Sequence, residues 1–337
     1  KMKRVLVTGG AGFVGHHVIE AILRQTDAEV VSLDRLDTSG TLFRLQHVLQ
    51  ENPEWSSRLT VVWHDLKASL NDFAVKALGD VTHVLHLAAG SHVDRSIDCP
   101  MEFVMDNVVG TCNILEYARI HLKDSLELFL YFSTDEVFGP APEGVFYDED
   151  ARYRSGNPYA ATKAGAEELC MSYENTYNMP IIITHTMNIF GNRQHAEKFI
   201  PLVISNVRDG KEIFIHSNKE CTQAGSRHYI DAKDVADAVV FLFNNHKVGE
   251  KYNIVGREET DNLELAMIIA DLMGKPLNYK MIDFHSSRPG HDLRYALCGE
   301  KMKNLGWVPR KDLRERLKGV IEWSLKNDIW LGKKDED

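Results

Sequence analysis

Tyr159 and Lys163 stand four residues apart behind Asn157-Pro158, a spacing that sets a phenol and an ammonium on one face of a helix. Asn157 suits the N-cap and Pro158 the first helical position. The positive charge of Lys163 is expected to favour the phenolate of Tyr159, which would take the proton of a hydroxyl while hydride leaves the same carbon. Thr134, at the end of the preceding strand, is placed to orient that hydroxyl or the phenol, with strand-end capping as its competing role. Beside it, Asp135 and Glu136 supply two carboxyl groups that simple alcohol oxidation does not need. Elimination of water does need both a base for a carbon acid and an acid for the departing hydroxyl. Close like charges can also hold one proton in a pocket. A charged loop that only binds substrate or caps backbone is the competing reading of this pair.

Hydride requires an acceptor, and residues 9 to 15, Gly-Gly-Ala-Gly-Phe-Val-Gly, satisfy both GxGxxG and GxxGxxG. The run follows a strand pattern at Val5 to Thr8 and opens a helix pattern at Phe13 to Arg24, the context in which glycines bring backbone close to a pyrophosphate at a helix N-terminus. Asp34 ends the second strand pattern, Val30 to Leu33. A carboxylate there accepts from the adenosine ribose and repels a 2′-phosphate, which favours NAD over NADP, with Arg35 as the counter-indication. Gly9, Gly12, Phe13, Val14, Gly15, Asp34, Asp65, Leu66, Ala88, Tyr159 and Lys163 are the expected cofactor contacts. For Asp65 an exposed turn is the competing role.

The elements that position these residues follow from periodicity. Strands are expected at Leu59 to Trp63, Val84 to Leu87, Leu126 to Ser133 and Ile181 to Thr184, and helices from Val104 to Ala118 and from Tyr159. Apolar runs without strict alternation suit a parallel sheet covered on both faces. The expected fold is α/β: a Rossmann-like parallel sheet with a smaller C-terminal α/β substrate domain. Residues 1–189 are mainly the NAD-binding domain, 190–228 and 250–297 mainly the substrate domain, and 229–249 return to the first. Residues 298–337 form a C-terminal helical region and tail, solvated over Lys333 to Asp337. Further helices are expected at Val235 to Asn244, Leu263 to Leu272 and Leu313 to Leu325.

Composition narrows the function classes. The chain has 337 residues, a net charge of -10, and 44% hydrophobic residues, so it can bury a large core and shows no broad attraction to nucleic acid. It contains no apolar run long enough to span a bilayer, and its start enters a short strand pattern, so a cytoplasmic setting is expected. Five dispersed cysteines without CxxC speak against a disulfide framework or structural zinc. The 15 histidines show no metal-ligand spacing, and no metal is expected.

Residues 9 to 15, the stretch Ser133 to Gly139, and Tyr159 with Lys163 together resemble the extended short-chain dehydrogenase/reductase family, closest to the dTDP-glucose 4,6-dehydratase group of nucleotide-sugar dehydratases. The resemblance extends over nearly the whole chain, through Arg288 to Ala296. It implies oxidation at sugar C4 assisted by Tyr159 and Lys163, removal of the C5 proton by Glu136, protonation of the departing C6 hydroxyl by Asp135, and return of hydride to C6. It further implies a nucleotide-diphosphate sugar, most naturally dTDP-glucose or UDP-glucose, bound by Asn188, Lys198, Arg227, Arg288 and His291, with Ser91, Arg95 and Thr134 near the sugar or phosphate. A homodimer through the helices around 104–118 and 159–176 is implied as well. Phe138 departs from the group's common tyrosine, His228 stands where an acidic residue is frequent, and residues 218–226 form a longer approach to Arg227. A nucleotide-sugar 4-epimerase, which needs neither Asp135 nor Glu136, and a non-catalytic NAD-binding scaffold are the alternatives.

Overall fold

Short apolar strands each followed by an amphipathic helix dictate the N-terminal half. In the computed structural model, which describes residues 3–37, 39–283 and 294–332, seven strands form one parallel sheet. They are β1 (Arg4–Thr8), β2 (Glu29–Asp34), β3 (Leu59–Trp63), β4 (His83–His86), β5 (Leu128–Thr134), β6 (Ile181–Thr186) and, after four strands outside this sheet, β11 (Lys251–Asn253). The order across the sheet is β11-β6-β5-β4-β1-β2-β3. Between these strands run α1 (Phe13–Gln25), α2 (Leu42–Glu51), α3 (Asp72–Leu78), α4 (Val93–Asp98), α5 (Pro100–Phe103), α6 (Gly110–His121) and α7 (Pro158–Tyr177).

The central strands are covered on both faces, as their uninterrupted apolar runs require, whereas Val61 and Trp63 of the edge strand β3 are exposed. Val5, Val7, Leu85, Leu130 and Ile182 pack under α1 and α9 (Ala232–Leu242), whereas Leu6, Val84, Phe129, Tyr131 and Ile183 pack under α6 and α7. The remaining strands are β7 (Ile189–Phe190), β8 (Ile213–Ser217), β9 (Ser226–His228), β10 (Ile230–Asp231), β12 (Glu259–Asp261) and β13 (Tyr279–Asp283). With α8 (Phe199–Asp209), α10 (Asn262–Met273) and α12 (Leu313–Lys326) they surround a third core containing Phe190, Val203, Ile215, Leu265 and Leu317. The short α11 (Glu300–Leu305) lies against β11.

Two local details refine the expected elements. Within the stretch from residue 250, β11 pairs in parallel with β6 at the edge of the main sheet. Its three-residue length hid that role among turn-forming neighbours. The single helix expected over 104–118 begins as a π-helix, Val104–Val109, before α6. That widened turn carries Asp106 to the cavity described below and lets Asn107 bridge two elements. The tail from Lys333 to Asp337 lies outside the described residues. No described helix is long and apolar enough to cross a membrane.

Candidate active site

The C-terminal ends of β1, β2, β4, β5 and β6 open into a cavity of about 740 Å³, the crevice where parallel α/β sheets bind ligands. Gly9 turns the chain out of β1 with φ +68. A Cβ at Gly15 would stand 2.1 Å from the Gly9 carbonyl oxygen, so the turn packs backbone on backbone. Gly10, by contrast, presses on Ser32 and Ile19 and is absent from the cavity wall. The working pattern is therefore Gly9, Gly12 and Gly15. At Gly12 a Cβ would meet only Gly9 O, at 3.1 Å, and α1 starts there without a side-chain cap. The first-turn N–H groups of a 13-residue helix thus face an open, lined space, which suits a diphosphate.

Asp34 sits at the far end of that space, accepting from the backbone N–H of Ala11 at 3.2 Å and of Leu36 at 2.7 Å. Burial pushes its carboxyl up, and those two hydrogen bonds oppose the shift. Arg35 is held by Asp106 at 2.7 and 3.1 Å and by Asp37 at 2.6 Å. Its guanidinium is already spent on two carboxylates, which weakens the sequence-level case that it would turn to a 2′-phosphate. Phe13, Val14, Asp65, Leu66 and Ala88 line the same cavity.

At its inner end the cavity is walled by Thr134, Asp135, Glu136, Tyr159 and Lys163. The side chain of Asn157 caps α7 by accepting from Ala160 N at 2.8 Å, and its amide nitrogen lies 3.4 Å from Glu136 Oε1. One residue thus fixes both the start of the helix carrying Tyr159 and the setting of a carboxylate in the acid loop. Sequence reasoning gave Asn157 only the first role. Thr134 Oγ1 donates to Asp135 at 3.2 Å, and Thr134 also opposes the rise that burial imposes on the Tyr159 phenol.

Burial pushes the Asp135 carboxyl up to about 6, against the pull of Arg227 and of Thr134. Burial also raises the Tyr159 phenol, and the charge of Glu136 adds to the rise. The Lys163 ammonium is brought down to about 8 by burial, with Glu167 opposing. It donates to Phe132 O at 2.8 Å and lies over the Tyr131 ring at 4.6 Å. The expected direct pull of Lys163 on the phenol is therefore not what sets Tyr159 here, because the ammonium is turned toward β5.

A second compartment of about 450 Å³ adjoins the first and shares Ser91, Asp135, Glu136, Asn188 and Lys198 with it. Its far wall includes Arg227 and Tyr295, whose ring lies 4.9 Å from the guanidinium. His92, His195 and Phe199 line both compartments. None of these three carried a pattern in the sequence that would have singled it out.

A family model described as GDP-mannose 4,6 dehydratase matches residues 6–320. The chain belongs to that family. Its similar relatives include the dTDP-glucose 4,6-dehydratase of Salmonella typhimurium, 34% identical over 97% of this chain and 94% of the relative. Among solved structures, the dTDP-glucose 4,6-dehydratase of Streptomyces venezuelae with NAD bound superposes with a TM-score of 0.86 at 32% identity, covering 98% of this chain and 99% of that one. A UDP-glucose 4-epimerase of Thermus thermophilus in complex with NAD gives 0.82 at 27% identity, covering 95% and 98%.

Not every expected contact of this GDP-mannose 4,6 dehydratase family member reaches the cavities. Arg95 points to solvent and pairs with Glu102 at 2.8 Å, because α4 turns its side chain outward. It lines neither compartment. Arg288 and His291 lie outside the described residues. His228, which stands where the group frequently has an acidic residue, is buried against Phe146 and lines neither compartment. Among the described residues no group of three His, Cys, Asp or Glu side chains is arranged to hold a metal.

Proposed function

We propose that the chain is an NAD-dependent nucleotide-sugar 4,6-dehydratase converting an NDP-hexose, dTDP-glucose or UDP-glucose first among them, to the 4-keto-6-deoxy sugar and water. The observation that carries this reading is the placement of Asp135 and Glu136, with Thr134 and Tyr159, where the glycine-lined cavity meets the compartment walled by Arg227. Gly9, Gly12, Gly15 and Asp34 would hold NAD, which supplies the hydride acceptor for C4 oxidation and the donor for C6 reduction.

Tyr159 takes the C4 hydroxyl proton, with Thr134 in the same cavity wall favouring the phenolate. The ketone so formed acidifies C5–H, and Glu136, steadied by Asn157, removes that proton. Asp135, which burial lifts to about 6, is poised near neutrality and protonates the leaving C6 hydroxyl. Lys163 lines the cavity with its ammonium donating to Phe132 O, and Arg227 is suited to the diphosphate by its planar donors. Asn188, Lys198 and Ser91 complete the substrate wall.

The dehydratase and epimerase readings separate on loss of water. Incubation with dTDP-, UDP- and CDP-glucose and their N-acetylhexosamine counterparts in deuterium oxide is expected to give a product that has lost water, about 18 Da, and carries one carbon-bound deuterium from solvent reprotonation at C5. An isobaric stereoisomer would establish epimerisation instead. Gly15→Ala is expected to weaken NAD binding at least about tenfold and to cost about 1–3 kcal/mol of stability, since the new methyl meets backbone that cannot yield. NAD titration and thermal unfolding check it, and unchanged values would remove the glycine turn from the cofactor site.

The proposal includes a homodimer through α6 and α7, whose surroundings expose Met101, Met105, Ile120 and Tyr177, and light scattering in solution tests it. It also includes a cytoplasmic setting, which five unpaired thiols favour.

A further inference from the structure

Behind the acid loop lies a polar cluster for which the proposed reaction has so far no use. Glu167 follows Lys163 by one turn on α7, and His185 lies on β6 beside Ser133 of β5. Both side chains are 0% exposed. His185 Nε2 is 2.6 Å from Glu167 Oε1, and its Nδ1 is 3.0 Å from Asn253 Oδ1.

The hydrogens of this cluster follow from what each partner can do. Asn253 Nδ2 faces two carbonyl oxygens, those of Tyr147 and Cys298, each at 3.1 Å. Carbonyls only accept, so the amide is oriented and Oδ1 is the atom turned to the imidazole. Nδ1 therefore carries a hydrogen. On the other side, the Tyr153 hydroxyl donates to Glu167 Oε1 at 2.7 Å and the Ser133 hydroxyl to Oε2 at 3.0 Å. Tyr153 in turn accepts from Lys251 Nζ, which commits its own hydrogen to Glu167. These donors favour the ionised carboxyl group, and the contact at Nε2 is then read as N–H donating to carboxylate. Burial alone would push Glu167 up, but the charge of His185 and the hydrogen bonds from His185 and Tyr153 hold it below the usual carboxylate range.

We infer that His185 is a fully buried imidazolium, locked between Glu167 and Asn253, and that its charge contributes to the field at Asp135 from beneath the acid loop. The contact is through packing as well as field: the Phe138 ring, at the end of the 3-10 turn bearing Asp135 and Glu136, stands edge-on to the imidazole with centroids 4.8 Å apart. His185 is also among the charges that hold the Asp135 carboxyl down against its burial. The other titratable or charged groups around the pair include Lys163 and Cys170 on α7, Tyr131 on β5, Tyr153 and Glu149 from the preceding loop, Lys251 on β11, and Arg227 across the compartment. His185 is thus a positioning residue for the acid step, and this inference rests on Asp135 being that acid.

Two measurements on the NAD-loaded enzyme test it. In nitrogen-15 spectra of histidine-labelled protein, one buried, slowly exchanging ring is expected to show both nitrogens protonated at about neutral pH. A ring with only one protonated nitrogen overturns the inference, and no variant is needed to see it. In His185→Gln, loss of the cation lets Asp135 keep its proton to higher pH, so the basic limb of the dehydration profile is expected to move up while the plateau rate is largely kept. A merely structural role would lower the rate at every pH and leave the limb in place, which would also overturn it. A wild-type enzyme that dehydrates no sugar removes the proposed function instead, and the spectrum then decides the charge of His185 alone.

Discussion

Tyr159→Phe is expected to lower kcat by about 10²–10⁴-fold, the range for loss of a positioned general base, with NAD binding retained. The substitution removes one oxygen from a helix that Asn157 still caps, so unfolding is not the cause of the loss. Glu136 raises the phenol's affinity for its proton. In Glu136→Gln the acid limb of C4 oxidation should accordingly move to lower pH, because the phenolate forms more readily once that negative charge is gone. A pH profile of single-turnover C4 oxidation checks the pair of variants. Full activity in Tyr159→Phe would return the assignment of the base to the remaining side chains of the cavity.

Asp135→Asn and Glu136→Gln are each expected to reduce water loss by about 10²–10⁴-fold, but for different reasons that isotope exchange separates. With Glu136 intact and Asp135 replaced, C5 should still exchange its hydrogen with deuterium oxide while the C6 hydroxyl stays in place. With Glu136 replaced, exchange at C5 should be lost together with elimination. The reverse pattern would exchange the acid and base roles. Retention of both activities in either variant would reduce the acid loop to a binding element.

The sequence displayed these groups because their chemistry is local. Tyr159, Lys163 and their N-cap Asn157 lie within seven residues, and the glycines and Asp34 sit at fixed offsets from two strands. Strand β3 was readable to the residue, since an apolar run between polar turns has few other fates. What escaped was whatever depends on distant partners. β11 gains strand identity only from β6. The orientation of Lys163 is decided by the Phe132 carbonyl, 31 residues away in the chain. The outward aim of Arg95 follows from the rotation of a short helix, which spacing does not fix. Glu167, His185 and Asn253 carry no joint pattern because three separate elements bring them together.

The path of the chain through β11 has a bearing on inheritance. A fragment ending near residue 190 would keep every glycine of the turn, Asp34, Tyr159 and Lys163. It would lack α9, leaving Ile19, Ile22 and Leu23 of α1 without the cover of Val235, Val239 and Leu242. It would also strip β11 from β6, turning a sealed strand into an open edge ready to pair with another chain. The cofactor half is therefore no cassette that recombination can lift out and reuse. New nucleotide or sugar preferences must arise by substitution within the intact chain, chiefly in the loops around Arg227, where the sheet's stability is not at stake.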